Sequence, residues 1–187
     1  MKKIIFLFSI VLIVANTNAQ DKYFTKTGKI SFDATVPKSP ENIVAVNKAT
    51  TMVLDTKTGE MQFVVQMKGF EFERALMQEH FNENYVETTK FPKAEFKGGI
   101  QNNEKIVYTK DGSYATHVKG KLTMHGVTND VETDGKITVS GGKISTSASF
   151  SALFADYNII IPSVVGDKVA KSVKINVECA LEALKKN

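Results

Sequence analysis

Three histidines, a single cysteine and a group of lysines are the residues of this 187-residue chain whose types could carry chemistry. His80 follows Glu79 and stands three residues before Glu83. That spacing could put His80 and Glu83 on one helical face, where the pair could move a proton or bind a metal. The other reading is a solvated helix face, since no third ligand stands near enough in sequence to complete a metal site. His117 reads as a surface or cross-strand residue, and His125 as an ornament of the Met124-His125-Gly126 turn. Cys179 alternates with Val177 and Leu181 on an apolar face, with no cationic neighbour to lower its pKa, so it reads as an inert buried thiol. Lys168, Lys171 and Lys174 could meet an anionic head group, or could be solvated strand lysines that discourage edge pairing.

The familiar enzyme signatures are missing from the sequence. It has no Gly-x-Ser-x-Gly elbow, no His-Glu-x-x-His pair, no phosphate-cradling glycine loop and no Cys-x-x-Cys. The expectation is therefore a protein that is not an enzyme and holds neither cofactor nor metal.

Composition narrows the class further. With 42% hydrophobic residues, one Cys and no Trp, the chain is globular and about one domain long, which excludes a disordered tail and a disulfide scaffold. Residues 1–19 read as a secretory signal peptide: Lys2 and Lys3, an apolar run from Ile4 to Ala15, and small residues at Thr17 and Ala19 ahead of a cleavage point before Gln20. That run falls well short of the roughly 20 apolar residues of a spanning helix. No Cys follows it to take a lipid anchor. Setting it aside leaves 22 basic against 20 acidic residues, a net charge of +2 with no nucleic-acid footprint. The expected location is a bacterial periplasm or exterior, where a lone cysteine has no internal disulfide partner.

The remaining domain, 20–187, is patterned with a period of two. Val173, Ile175, Val177, Cys179 and Leu181 alternate with Lys174, Asn176 and Glu178, giving one dry and one wet face. Eight such strands are expected, near 23–34, 43–55, 60–68, 93–101, 114–124, 127–139, 143–151 and 171–182. Turn signals at Thr58-Gly59, Asp111-Gly112, Gly126, Asp134-Gly135 and Gly141-Gly142 imply antiparallel pairing. Residues 69–92 are too long for a hairpin; Met77, Phe81 and Tyr85 recur every four, predicting one short amphipathic helix that Phe91-Pro92 stops. Residues 153–166 form a second insert, a loop or short helix. Periodicity leaves a closed barrel and a two-sheet sandwich both open.

Two stretches are more specific than this pattern. Phe91-Pro-Lys-Ala-Glu-Phe-Lys-Gly98, preceded by Leu76-Met-Gln-Glu-His-Phe-Asn-Glu-Asn-Tyr85, and Gly120-Lys-Leu-Thr-Met-His-Gly-Val-Thr128 resemble the YceI-like family of exported proteins over about residues 28–181. The resemblance implies an all-β fold, an eight-stranded antiparallel lipocalin-like barrel with one or two short helices in the inserts. Its interior would take a long isoprenoid or other amphiphilic lipid. Many members of that family carry a His-Ser pair near the first strand and a further His in the second. The corresponding Asp33–Asn42 region here has no His.

The ligand-binding candidates are Phe63, Val65, Phe96, Leu122 and Phe150 pointing inward, with Leu76, Met77, Phe81, Tyr85 and Phe91 as a lid; taken singly, each could also be plain core. The resulting expectation is a periplasmic protein that sequesters or carries a hydrophobic lipid. Its partner is that lipid, with no nucleic acid and no transmembrane segment, and a homodimer is left open. Two alternatives stand beside it: an exported enzyme using His80 and Glu83 on a small amphiphile, and an envelope interaction protein with a packed core.

Overall fold

Alternation along the chain becomes a wall with one dry side. In the first strand, β1 (Lys22–Thr35), Ile30, Phe32 and Ala34 are buried while Lys29 and Asp33 face solvent. The last strand, β9 (Val169–Ala183), repeats this with Val173, Cys179 and Leu181 buried and Lys174 and Glu178 exposed. Between them lie β2 (Val44–Asp55), β3 (Glu60–Gln66), a two-residue β4 (Glu71–Phe72), β5 (Lys93–Ile100), β6 (Gly112–Met124), β7 (Val127–Ser140) and β8 (Lys143–Leu153). One helix, α1 (Ala75–His80), runs on as a π-helical turn over Phe81–Tyr85. The computed structural model describes residues 21–37, 39, 41–166 and 168–184. The expected export segment and its cleavage point before Gln20 lie outside the described residues.

Every pairing is antiparallel, in the order β1-β9-β8-β7-β6-β5-β3-β2, and β2 pairs back onto β1 from Lys22↔Asp55 to Asp33↔Val44. That last ladder closes the sheet into a lipocalin-like barrel of eight long strands and removes the edges a sandwich would leave. β4 only adds Ala45↔Phe72 and Val46↔Glu71 to one end of β2. Each of the eight expected strands is present, its ends shifted by a few residues at most.

The turns follow backbone chemistry. His125 (φ 51°) with Gly126 (φ 78°), and Gly141 (φ 55°) with Gly142 (φ 75°), are paired left-handed residues, the geometry that joins twisted strands by two residues. Asp134-Gly135, expected as a turn, instead lies inside β7. A Cβ on Gly135 would come 2.8 Å from the Ser147 carbonyl and 3.0 Å from Thr116 Oγ1, so this glycine serves close strand packing.

At one end of the barrel Met52, Leu54, Ile137, Val139, Ile144, Cys179 and Leu181 form a solid plug. Burial there pushes the Cys179 thiol up to about 11, the state of an unreactive sulfhydryl. The opposite end is covered by the inserts after β3 and β8 and by the β6–β7 turn.

The outer face of β6 and β7 carries a cross-strand charge ladder. Register places Lys121 opposite Asp130, Lys119 opposite Glu132 and His117 opposite Asp134. The pairs meet at 2.9, 3.5 and 2.9 Å, and His117 Nε2 also reaches Glu132 at 2.8 Å. Hydrogen bonds to Asp134 and then Glu132 favour the imidazolium, so the His117 pKa stands above its ordinary 6.5. His117 therefore contributes stability that is fully present below pH 6.5 and is lost as pH rises through its elevated value. A ring-proton NMR titration should show His117 titrating above 6.5, and Asp134→Asn should bring it down. The ladder is exposed, so its effect on global stability is expected to be small.

Candidate functional site

Between the plug and the covered end the barrel holds a partly open cavity of about 510 Å³ whose lining is overwhelmingly apolar. β3 contributes Phe63 and Val65, β5 Phe96, β6 Leu122 and β8 Phe150. Each of these inward candidates lines the space. The helical insert brings Leu76, Met77, Phe81 and Tyr85 to the same cavity, so the four-residue spacing does place one face of this helix over the opening.

The helix is held there by aromatic contacts. Phe81 packs against Phe32, Phe70 and Phe72 with ring centroids 5.5, 5.7 and 5.1 Å apart, and Phe32 meets Phe70 at 5.2 Å. Such pairs are worth about 0.5–1.5 kcal/mol each beyond the area they bury. Phe32, Phe70 and Phe72 line the cavity but were absent from the sequence candidates. The available signals were the Ile30-x-Phe32-x-Ala34 alternation and the Phe70-x-Phe72 pair. Ile159 and Ile161, from the insert after β8, complete this side.

Phe91 is placed elsewhere. The helix ends in its π turn, with the Val86 N–H donating to the Phe81 carbonyl at 2.9 Å, and Glu87 then takes a left-handed φ of 50°. That reversal carries Phe91 behind the lid, where its ring lies 4.3 Å from the His125 ring and fills the space beside Gly126.

His125, read from sequence as an ornament of its turn, is a strut. Its Nδ1–H donates to the Tyr157 carbonyl at 2.9 Å and its Nε2 lies 3.1 Å from Glu87 Oε2. The side chain is only 9% exposed. One imidazole thus ties together the helical insert, the β6–β7 turn and the insert after β8. Glu87, His125 and Asn158 are the non-glycine residues with positive φ among the described residues, and all three belong to this junction. Strained backbone of this kind persists only where its surroundings fix it. His125→Ala is expected to cost about 1–3 kcal/mol by orphaning a buried carbonyl and releasing Glu87. The change should appear as a lowered Tm and as faster amide exchange over residues 82–92 than in the rest of the barrel.

The charged residues of the lining gather mostly at the covered end. Glu41 is ion-paired with Arg74, and His80 and Lys168 complete the group, while Lys136 reaches the lining from β7. Deeper in, the only hydroxyls on the wall from β6, β7 and β8 are those of Thr116, Thr133, Thr146 and Ser147. His80 faces the cavity but makes no hydrogen bond or ion pair with Glu83 among the described residues, and Glu83 is exposed and off the lining. The change from α to π winding falls between the two, so their spacing no longer aligns them as it would on a regular α-helix. Among the described residues no group of three His, Cys, Asp or Glu side chains is placed to hold a metal, and no helix is long and apolar enough to cross a membrane.

Comparison with known proteins adds family and fold. The YceI-like domain matches residues 14–181 of the chain. No curated protein matches it. Among solved structures, a polyisoprenoid-binding domain from Saccharophagus degradans implicated in plant cell wall breakdown superposes with a TM-score of 0.76 at 14% identity, covering 88% of this chain and 99% of its own. BcnA of Burkholderia cenocepacia gives 0.68 at 15% identity, covering 83% and 96%. A Campylobacter jejuni YceI protein gives 0.60 at 15%, covering 81% and 90%. At these identities the likeness is one of fold.

Proposed function

The chain belongs to the YceI-like family, and from that premise we propose that it is an exported binding protein that carries a hydrophobic, isoprenoid-like or other amphiphilic lipid inside its barrel. The observation that carries this reading is the apolar cavity of about 510 Å³ inside the barrel, with most of its charged groups at one end. That volume falls within the range of ligand pockets, and a few convergent polar groups in such a pocket are what orient a ligand. Each methylene moved from water into it contributes about 0.8 kcal/mol, so an acyl or prenyl tail needs no further recognition for affinity. A head group would then sit among Glu41, Arg74, His80 and Lys168. The barrel is shared with a domain that binds polyisoprenoid in Saccharophagus degradans, which favours that ligand class.

Export to a bacterial periplasm is supported by the Lys2-Lys3, apolar run and Ala19 pattern of residues 1–19. The role requires no covalent step, and the enzymatic reading is less well supported, because His80 faces the cavity while Glu83 lies off its lining and makes no hydrogen bond with His80 among the described residues. A packed-core interaction protein is disfavoured by the cavity itself.

Native mass spectrometry of protein purified from its own envelope, followed by solvent extraction, tests the proposal. A stoichiometric isoprenoid or amphiphile on a chain beginning at Gln20 is the expected result. Lipid-free protein that also refuses added lipids would overturn it.

A further inference from the structure

Exposed apolar side chains are distributed unevenly between the two ends of the barrel. The three most exposed large ones are Val164 at 85%, Ile160 at 79% and Leu76 at 60%. All three belong to the inserts that cover the cavity: Leu76 lines it directly, while Ile160 and Val164 alternate with the lining residues Ile159, Ile161 and Val165. Val44, at the start of β2, and Leu153, at the end of β8, extend the same rim, since Asp33↔Val44 and Leu153↔Ser172 mark this end of the sheet. Among the described residues the far end has Val107, Leu184 and Val53, at 47%, 41% and 36%, none as exposed as Val164, Ile160 or Leu76. Apolar groups left in water around the opening of an apolar cavity mark a contact surface.

We propose that this rim docks on a lipid bilayer, so that a lipid passes between membrane and cavity without crossing water. The proposal rests on the lipid-carrier reading and adds the surface through which loading occurs. The chemistry of the cavity selects the occupant: a ligand whose tail suits an apolar barrel resides in a bilayer, and the rim around the opening is itself apolar. Charge is balanced on this end. Lys168, Lys171 and Lys174 stand exposed at the start of β9 with no ion-pair partner among the described residues, placed to meet an anionic leaflet. Glu41 and Glu71 on this end are paired with Arg74 and Lys48. The exposed Asp33, Glu73, Glu79, Glu83 and Asp156 on the same end offset these lysines, so apolar contact carries the docking.

The test uses vesicles of phosphatidylethanolamine and phosphatidylglycerol, either plain or doped with fluorescent geranylgeraniol. Neither Ile160 nor Val164 lines the cavity, so Ile160→Asp/Val164→Asp is expected to leave Tm and binding of geranylgeraniol delivered from ethanol unchanged. Its cosedimentation with plain vesicles should fall about tenfold, with a matching loss in the rate of uptake from doped ones. Val107→Asp at the far end should change neither. Wild-type protein that ignores plain vesicles, a double variant that takes up vesicle lipid at the wild-type rate, or uptake that requires an added envelope protein would each overturn the proposal. Failure to bind geranylgeraniol from ethanol would instead strike the carrier reading, because cosedimentation with plain vesicles reports docking by itself.

Discussion

Phe96→Glu is expected to empty the barrel, reducing copurifying lipid from stoichiometric to trace amounts. Phe96 and Phe63 are register partners on β5 and β3, their rings meeting edge to face at a centroid distance of 6.0 Å, and both line the cavity. A carboxylate there would stand beside Phe63 and Leu122 in an overwhelmingly apolar wall, and an ionised group without a partner in such surroundings costs many times what one methylene contact returns. The charge would draw water into the space or hold it open, and either outcome removes the gain from burying a lipid tail. Phe63→Glu should act alike. Phe96→Leu keeps the wall apolar and should retain most of the lipid, which separates loss of the site from loss of the fold; circular dichroism of both variants completes the control. Full lipid occupancy in well-folded Phe96→Glu protein would show that the ligand lies somewhere other than this cavity.

How far the sequence discloses such a site depends on whether a signal is local. Strands are local: residues two apart share a face, so Val173 through Leu181 announces β9 without knowledge of its neighbours. Closure is not local, because it depends on Ser31 meeting both Val46 and Asn176, partners at opposite ends of the chain. Periodicity therefore leaves barrel and sandwich equal, and the family resemblance chooses between them. The lid shows the same division. A step of four found Met77, Phe81 and Tyr85, whereas Phe91 was misplaced because the reversal at Glu87 has no glycine to announce it. His125 has no local signal at all: its partners are 32 and 38 residues away, and beside Gly126 it looks like any turn residue.

The two glycines of the family-like motifs have a steric role, and Gly98→Ala should be among the most destabilising small substitutions in the protein. Gly98 on β5 and Gly120 on β6 are direct register partners on the cavity side. A Cβ added to Gly98 would lie 2.4 Å from the Lys119 carbonyl oxygen, 2.6 Å from Gly120 Cα and 2.7 Å from Phe96 Cζ; one on Gly120 would meet the Lys97 carbonyl at 2.5 Å and Phe96 Cζ at 2.6 Å. The strands thus approach too closely for any side chain, and the Phe96 ring lies over the bare backbone they leave. Two of the three contacts at Gly98 are backbone atoms held in the β5–β6 ladder, so the strain cannot be relieved by a change of rotamer. Separating the strands would break ladder hydrogen bonds, and swinging Phe96 away would open a gap beside Phe63. The expected loss is about 2–4 kcal/mol, read as a lowered denaturant midpoint at constant m-value. Shortening the ring as well should recover part of it: Phe96→Leu/Gly98→Ala is expected to be less destabilised than the sum of the single changes, because the contact with Cζ is removed while the clash with Lys119 remains. Strict additivity would mean that the ring does not rest on the glycine pair. A loss below about 0.5 kcal/mol for Gly98→Ala, the range of ordinary surface substitutions, would mean that β5 and β6 stand farther apart than this packing requires.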